Sequence, residues 1–219
     1  MRSALLALVL LLAVAPAAQA RQRLLALDHR VVVRAAPDPA SRAVAKVSSK
    51  TPLTGNKMVL PVIGAKQGPK GGRWLEVRLP MRPNGATGWL PAYEGKRTTT
   101  PWRIIVHTRA RTTLVFRNGH VRAKFSVIVG SPSTPTPLGH FFVVEKLWVG
   151  PYPEGPWALA TSGYSNVFQE FAGGPGQIAL HGTQGLSGYW SHGCVRLAPG
   201  AVSWIARHVG RGTPVLITR

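Results

Sequence analysis

The chain of 219 residues has only one cysteine, Cys194, and only 7 acidic residues against 27 lysines and arginines. A lone cysteine excludes an internal disulfide, so the thiol is buried, bound to a metal, paired with another chain or reactive. The shortage of acid leaves a formal net charge of +20 at pH 7, which favours polyanionic partners. Beyond the N-terminus, no apolar run reaches the roughly 20 residues that a transmembrane helix needs.

The N-terminal segment has the three parts of a secretory signal peptide. Arg2 supplies the positive charge, residues 5–14 form an apolar run, and residues 18–20 read Ala-Gln-Ala, an A-x-A cleavage signal. We therefore predict that residues 1–20 are removed and that the rest of the chain is secreted to the cell envelope, in the periplasm or the cell wall, without a stable membrane span. An uncleaved anchor is the alternative.

The predicted export indicates which class of polyanion the positive chain binds. Nucleic acid is not expected as the partner of an exported protein, whereas acidic polymers of the cell envelope suit both the charge and the compartment. A solvated basic surface without a specific partner is the alternative.

Residues 24–97 are predicted to form a small β-barrel domain. Short apolar segments alternate with Gly/Pro turns and show almost no helical periodicity. Trp74 and Trp89 are each followed by an apolar residue and are expected to anchor its core. An Arg-Ala-Ala-Pro turn, a Trp-Leu-Glu-Val-Arg-Leu strand and a closing Gly-Trp-Leu-Pro resemble a bacterial Src-homology-3-like domain over residues 28–93. That resemblance implies a domain that binds the wall or acts as a spacer.

Residues 98–101, at the end of a polar and basic run, are expected to be a linker to a second unit, residues 102–219, because they offer nothing to a core. Within this unit, Asn118-Gly119 lies between two apolar runs and predicts a hairpin, because both residues tolerate positive φ. The return strand alternates apolar and polar residues, which predicts one buried face. Its apolar members are Val121, Ala123, Phe125, Val127 and Val129.

One helix is expected directly after the cysteine. Pro199 suits its first position, and Gly210 is predicted to end it. Apolar residues recur at helical spacing between them, at Val202, Ile205 and Val209. The fold class is therefore predicted to be mainly β, with this one helix in the second unit.

The candidate chemistry centres on a cysteine and a histidine. Cys194 lies in the run Ser-His-Gly-Cys-Val-Arg-Leu at 191–197, and His181 ends an apolar segment upstream. An unperturbed thiol has a pKa of about 8.5 and is only a few per cent ionised at neutral pH. A histidine within hydrogen-bond reach can accept the thiol proton, so a Cys–His pair is the minimum for acyl transfer.

The neighbours of the cysteine supply further parts of an acyl-transfer site. Gly193 lets the backbone approach a substrate closely, and the amides of Gly193 and Cys194 are candidates for an oxyanion hole. Arg196 suits a substrate carboxylate, because its planar guanidinium can pair with both carboxylate oxygens. Acidic residues are scarce in this unit, so we expect a backbone carbonyl rather than a carboxylate to orient the base.

The His-Gly-Thr motif at 181–183, followed by the run at 191–197, resembles the signature of the L,D-transpeptidases. These are exported enzymes that cross-link peptidoglycan through an active-site cysteine. The resemblance covers about residues 102–218 and implies a β-sandwich with one helix after the cysteine. Family members commonly have a few more residues in the loop that is formed here by residues 184–190, which bears on the acceptor side and the lid.

The resemblance also assigns roles residue by residue. It makes Cys194 the nucleophile and His181 the general base, and it points to the carbonyl of Gly182 as the group that orients the ring. Gly193 belongs to the same catalytic set and shapes the loop. The residues placed at the substrate are Thr183, Ser191, His192 and Arg196.

The implied reaction is acyl transfer from a peptidoglycan tetrapeptide stem. Cys194 attacks the carbonyl that precedes the terminal D-alanine, which gives a thioester and releases D-alanine. The side-chain amine of a diamino acid on a second stem then attacks the thioester and forms the cross-link. Because the thioester retains the energy of the cleaved amide, neither ATP nor a cofactor is expected.

Four alternatives remain at this point. With water as the acceptor the enzyme is an L,D-carboxypeptidase, and with a protein amine it anchors proteins. A non-catalytic wall-binding protein would use the barrel and the positive charge for adhesion. A zinc hydrolase would use His181, His192 and Cys194 as ligands, whereas the reading favoured here contains no metal.

Overall fold

The computed structural model describes residues 21–151, 155–170, 174–186 and 190–219. The signal peptide predicted at 1–20 lies outside these residues. The mainly β fold class is confirmed, and the helix follows the cysteine as expected. None of the helical structure in the described ranges is long and apolar enough to cross a membrane.

The strands divide between two hydrogen-bonded systems, which we call the first and the second unit. The first unit contains β1 (Gln22–Leu27), β2 (Val31–Arg34), β3 (Ala43–Val47), β4 (Val59–Gln67), β5 (Arg73–Arg78), β6 (Thr87–Pro91) and β7 (Gly95–Thr100). The second unit contains β8 (Trp102–His107), β9 (Thr112–Arg117), β10 (His120–Ile128), β11 (Gly139–Trp148), β12 (Trp157–Tyr164), β13 (Gln177–Gly182), β14 (Val195–Leu197), α1 (Pro199–His208) and β15 (Pro214–Thr218).

The first unit is a seven-stranded sheet in the order β3-β2-β6-β5-β4-β1-β7. Hydrogen bonding does not close the sheet between β3 and β7, so the barrel expected here is open at that seam. Its likeness to a Src-homology-3-like domain stays a prediction. Trp74 and Trp89 are both buried, as expected. The largest fully buried side chains of this unit are Leu25, Leu27, Leu60 and Leu90.

The segment predicted as a linker, 98–101, is instead largely the end of strand β7. This strand pairs with β1 over its whole length, from Gln22 opposite Thr100 to Leu27 opposite Gly95. Three consecutive threonines favour an extended strand because their side chains are β-branched. The polar sequence reflects an edge strand that faces solvent, and only Pro101 separates it from β8.

The eight strands of the second unit close into a barrel in the order β10-β14-β13-β12-β11-β15-β8-β9. The sandwich expected of this unit is therefore joined by hydrogen bonds along both edges. Helix α1 starts at Pro199, as predicted, and ends at His208, two residues before Gly210. It buries Val202 and Ile205 in the core of this unit, against side chains that include Leu159, Leu180 and Leu197.

The predicted hairpin between β9 and β10 is confirmed. Asn118 and Gly119 both have positive φ, at 51° and 83°, and the flanking Arg117 and His120 pair directly. The predicted burial of Val121 is wrong, because a register shift between Val121 and Ala123 turns that side chain outward and leaves it 52% exposed. Beyond the shift the alternation holds, and Val127 and Val129 reach the core.

Strand β11 is buried on both faces and joins the two units. Phe141 and Val143 belong to the core of the second unit, whereas Phe142 and Val144 belong to the core of the first. A strand covered on both faces reads as a continuous apolar run rather than as an alternating one, which is the pattern Phe-Phe-Val-Val at 141–144. Strand β11 therefore belongs to the barrel of the second unit and also packs one of its faces into the core of the first unit.

The next residue of β11 fixes a loop of the first unit. Glu145 is fully buried, and its carboxylate accepts hydrogen bonds from the backbone N–H of Leu53 at 3.4 Å, the N–H of Thr54 at 3.0 Å and the Thr54 hydroxyl at 2.9 Å. No described lysine or arginine forms an ion pair with it. A buried carboxylate is tolerated here because hydrogen-bond donors surround it.

We predict that Glu145→Ala lowers the free energy of unfolding by about 2 to 3 kcal/mol, because the three hydrogen bonds that Leu53 and Thr54 donate to its carboxylate are lost. Urea denaturation of the full chain measures this loss. Glu170→Ala, which removes an exposed carboxylate, is the control and should change stability by less than about 0.5 kcal/mol. Equal stability of the two variants would contradict the role given to Glu145.

Candidate active site

Two parallel strands, β13 and β14, position the residues around the cysteine. Leu180 lies opposite Val195, and His181 lies opposite Arg196. Leu180 and Val195 are part of the second unit's core. Because successive side chains of a strand point to opposite faces, His181 and Arg196 project from the other face of the sheet. Cys194, two residues before Arg196, lies on that face as well.

The turn that leads to the cysteine is held by a buried serine. Ser191 is 2% exposed. Its hydroxyl donates to the carbonyl oxygen of Cys194, and its Oγ accepts a hydrogen bond from the N–H of Gly193 at 3.0 Å. Gly193 has φ of +120°, and a Cβ at this position would lie 3.1 Å from Ile178 Cδ1. The conformation therefore favours glycine, and a Cβ would in addition need the Ile178 side chain to shift by a few tenths of an ångström.

The hydrogen bond to Ser191 changes the expected oxyanion hole. The N–H of Gly193 is already donated to Ser191 Oγ, so this amide is not available to a substrate in the structure. The prediction that Gly193 contributes an oxyanion donor stays a prediction, and what the structure shows for Gly193 is its backbone conformation in the turn. The amide of Cys194 itself remains as the candidate donor.

The proline-rich loop after β10 packs against the same turn. Ser191 forms a bridge with Gly130, and its carbonyl oxygen accepts the N–H of Ser131 at 3.1 Å and the hydroxyl of Thr134 at 3.1 Å. A Cβ at Gly130 would lie 2.1 Å from the Thr134 carbonyl oxygen, so only glycine allows this approach. The buried Thr136 accepts the N–H of Gly130 at 2.8 Å. These hydrogen bonds hold the proline-rich loop against the turn that leads to Cys194.

The base candidate is buried and its ring orientation is defined. His181 is 8% exposed, and its Nδ1 lies 2.8 Å from the carbonyl oxygen of Gly182, the carbonyl named above for this purpose. A carbonyl only accepts, so Nδ1 carries the hydrogen. In the neutral ring Nε2 then carries the lone pair and is the nitrogen that can accept a proton.

Cys194 is partly buried, and the burial dominates its acidity. Burial raises the pKa of the thiol above its usual value, although a hydrogen bond from the N–H of Ala179 and the charge of Arg196 both act to lower the pKa. The N–H of Ala179 lies 3.5 Å from Sγ. The thiol is therefore protonated at neutral pH in the free protein, and a base is needed to make it a nucleophile.

Arg196 has an unused donor next to the thiol. Its side chain is partly buried, and its Nε is buried without a hydrogen-bond partner among the described residues. A buried donor left unpaired costs about 1–3 kcal/mol, which a ligand oxygen at this point would recover. Thr183 is also half-buried, and its N–H donates to the Leu197 carbonyl oxygen at 2.8 Å, which extends the β13–β14 pairing.

His192 is placed differently from the other two members of the proposed zinc set. It is exposed, and its ring contacts the ring of Phe168 edge-on, with the centroids 5.9 Å apart. In the part of the chain that the structure describes, no three His, Cys, Asp or Glu residues form a group that could hold a metal ion. His181, His192 and Cys194 all lie in that part, so the zinc alternative finds no support in the geometry.

The first unit reaches this site through an arginine that the sequence did not indicate. Arg82 donates from Nη2 to the carbonyl oxygens of Ser165 at 3.0 Å and Phe168 at 2.8 Å. It also donates to the side chain of Gln169 at 3.1 Å and the carbonyl oxygen of Pro175 at 3.3 Å. The Arg82 side chain thus donates hydrogen bonds to four residues of the second unit. We call the stretches that contain them, residues 164–170 and 174–176, the clamped segment.

Two further contacts secure the start of the clamped segment. The side chain of Asn84 exchanges two hydrogen bonds of 2.8 Å with the backbone of Tyr164, and the Tyr164 hydroxyl donates to the Pro80 carbonyl oxygen at 3.0 Å. Because Phe168 of this segment touches His192, the first unit is connected to the cysteine turn through a chain of direct contacts.

Residues 101–217 match the sequence model of the YkuD family, the L,D-transpeptidase catalytic domain. This match spans more than half of the chain, so the chain belongs to the L,D-transpeptidase catalytic domain family. The match begins where β7 has ended, and it contains every residue of the candidate site described above except Arg82, Asn84 and Pro80.

The sequence identity between this chain and individual members of the family is low. L,D-transpeptidase 1 of Mycobacterium tuberculosis is 24% identical over 176 residues, which cover 65% of this chain and 61% of that protein. Among solved structures, an L,D-transpeptidase from Mycobacterium smegmatis has 19% identity and a TM-score of 0.47, covering 92% of this chain and 96% of that one. The crystal structure of L,D-transpeptidase 1 of M. tuberculosis has 20% identity and a TM-score of 0.42, covering 68% and 72%.

We predict that Arg82→Lys loosens the clamped segment, because an ammonium group cannot reproduce the planar fork that reaches four acceptors. Losing two or more hydrogen bonds of about 1 kcal/mol each should speed amide exchange there about tenfold or more. Hydrogen exchange read by mass spectrometry on peptides from 164–170 measures the change. Arg97→Lys, on the exposed edge strand β7, is the control, and equal exchange in both variants would contradict the clamp.

Proposed function

We propose that the protein is an L,D-transpeptidase that cross-links peptidoglycan through a thioester on Cys194. The observation that carries the proposal is the pairing of β13 with β14, which sets Cys194 and His181 on one sheet face while the Gly182 carbonyl holds His181 Nδ1–H. A protonated thiol and a histidine whose Nε2 can accept its proton, placed on one sheet face, are the groups that acyl transfer requires.

The first half-reaction cleaves the donor stem. His181 Nε2 takes the thiol proton, and Sγ attacks the carbonyl carbon that precedes the terminal D-alanine of a tetrapeptide stem. The carbonyl oxygen becomes an oxyanion, to which the N–H of Cys194 donates. When the intermediate collapses, the C–N bond breaks, the protonated His181 returns its proton to the leaving amine, and D-alanine departs from a thioester.

The second half-reaction forms the cross-link. The side-chain amine of a diamino acid on a second stem attacks the thioester carbonyl, and His181 removes the proton of that amine. Collapse breaks the C–S bond and Sγ takes the proton back as the thiol. The new amide replaces the old one, so no ATP is consumed and no cofactor takes part. Water as the acceptor gives an L,D-carboxypeptidase, and a protein amine gives a protein-anchoring enzyme.

The neighbours of the cysteine have supporting roles in this proposal. The unpaired Nε of Arg196 binds a carboxylate oxygen of the donor, and the exposed His192 lines the same side. Ser191 and Gly193 hold the turn, and Thr183 borders the substrate at the end of β13. A wall-binding protein without activity would need none of these residues in register.

The proposed location is the cell envelope, outside the cytoplasm, because the substrate is found there. The excess of lysine and arginine over acidic residues would hold the secreted chain near acidic envelope polymers. The positive charge of the chain would then favour binding to the envelope in which the proposed substrate is found.

Intact-mass spectrometry of the full chain incubated with a synthetic tetrapeptide stem tests the proposal. We expect an adduct on the wild type whose mass equals the stem minus D-alanine, as a thioester requires. Cys194→Ala should carry no adduct. The same adduct on both proteins, or none on a wild type whose thiol reacts with iodoacetamide, would overturn the proposed function.

The pH dependence of thiol alkylation is a second test. Because burial raises the pKa of Cys194, the thiolate fraction in the free enzyme keeps rising beyond the pH at which an ordinary thiol is half ionised, about 8.5. The rate of alkylation by iodoacetamide should therefore climb about tenfold per pH unit from pH 6 to at least pH 8.5. A rate that is already constant below about pH 7.5 would show a resting thiolate and contradict the assignment.

A further inference from the structure

A cleft of about 780 Å³ lies between the first unit and the face of β12 and β13. This volume falls within the range of about 300–1,000 Å³ that is usual for ligand sites. The first unit supplies a wall and the second unit supplies a floor of small side chains. The lining includes Lys46, Ser48 and Lys50 in the wall, and Ala158, Ala160 and Ala179 in the floor.

The floor of the cleft leads to the cysteine. Ala179 lines the cleft and also donates its N–H to Cys194 Sγ at 3.5 Å. Ala158, another floor residue, pairs with His181 across β12 and β13. The same sheet face thus carries the cleft floor and the proposed catalytic pair, with no intervening element between Ala179 and the thiol.

The small floor suits an extended peptide. Ala160 and Ala179 are paired on neighbouring strands, so their methyl groups lie side by side and leave the sheet surface low. Large side chains at these positions would hold a ligand away from the strands, whereas methyl groups let a main chain with alkyl side chains lie against them. Because Ala179 lines the cleft and also contacts Cys194 Sγ, a peptide that continues along this floor past Ala179 would reach the thiol.

The wall carries uncompensated positive charge. Lys46 and Lys50 are both exposed, and among the described residues neither has an ion-pair partner. None of the described residues that line the cleft is acidic. A ligand with a carboxylate a few residues away from the cleaved bond would meet both ammonium groups without competition from the protein.

We propose that this cleft binds the donor stem peptide, and that Lys46 and Lys50 of the first unit recognise an internal carboxylate of that stem. The inference rests on the proposed function, because it names where the same donor lies before Cys194 attacks it. The first unit is then part of the substrate site, and it helps to select stems whose acidic residue is free over stems in which it is amidated.

Binding to the full chain with Cys194→Ala, which cannot turn over, tests the charge recognition. Calorimetric titration uses two synthetic tetrapeptide stems, one with a free internal carboxylate and one with that group amidated. Replacing both lysines, Lys46→Gln with Lys50→Gln, should weaken binding of the free acid about 3- to 10-fold and leave the amidated stem unchanged. The control pair Lys70→Gln with Lys96→Gln, both exposed and outside the cleft, should change neither.

A steric variant tests the location independently of charge. Ser48→Trp fills the cleft from the wall, and Ser48→Ala is its control, because Ser48 Oγ accepts the N–H of Lys50 at 3.0 Å and both variants lose that bond. We expect Ser48→Trp to slow acylation of Cys194 by the stem at least tenfold. The slowing should be at least tenfold greater than the change caused by Ser48→Ala, and alkylation of the thiol by iodoacetamide should be equal in both.

The outcomes separate this inference from the proposed function. Normal stem binding and acylation in the lysine pair and in Ser48→Trp would overturn the cleft assignment and leave the transpeptidase in place. A stem that binds in a lysine-dependent manner but never acylates Cys194 would overturn the proposed function alone. Absence of stem binding to the Cys194→Ala chain would overturn the cleft assignment.

Discussion

The parallel pairing of β13 with β14 is the constraint on which the rest of the site depends. Its register sets Leu180 opposite Val195 and His181 opposite Arg196. One step of the strand alternation therefore sends an apolar pair into the core, and the next sends two ionisable residues to the other face. A slip of one residue would exchange the two faces and bury the arginine in the core. Core packing thus fixes the sheet face on which His181 and Arg196 lie.

The contacts that hold the first unit against this sheet face also shape the cleft. Strand β11 shares its opposite faces between the two cores, and Glu145 and Arg82 add hydrogen bonds on either side of the cleft. The same packing that joins the units leaves Lys46 and Lys50 above a floor of alanines. In this orientation the first unit forms one wall of the cleft that we propose as the substrate site.

Features with local causes could be predicted from the sequence, and features with distant causes could not. The Asn118-Gly119 turn and the proline-started helix are encoded by adjacent residues, and the family motif lies within a short run around Cys194. Strand β7 depends on its pairing with β1, so a threonine-rich edge strand resembled a linker. The partners of Arg82 belong to the other unit, and the hydrogen bond that occupies the Gly193 amide depends on a turn geometry that composition does not specify.

The central claim is that this sheet face transfers an acyl group from one stem to another through Cys194. The most direct measurement is mass-spectrometric analysis of the fragments released from purified peptidoglycan after incubation with the full chain. The account predicts new dimers joined at the carbonyl that preceded D-alanine, with one D-alanine released per cross-link, and none with Cys194→Ala. Release of D-alanine without any new dimer, or the same dimers from Cys194→Ala, would contradict it.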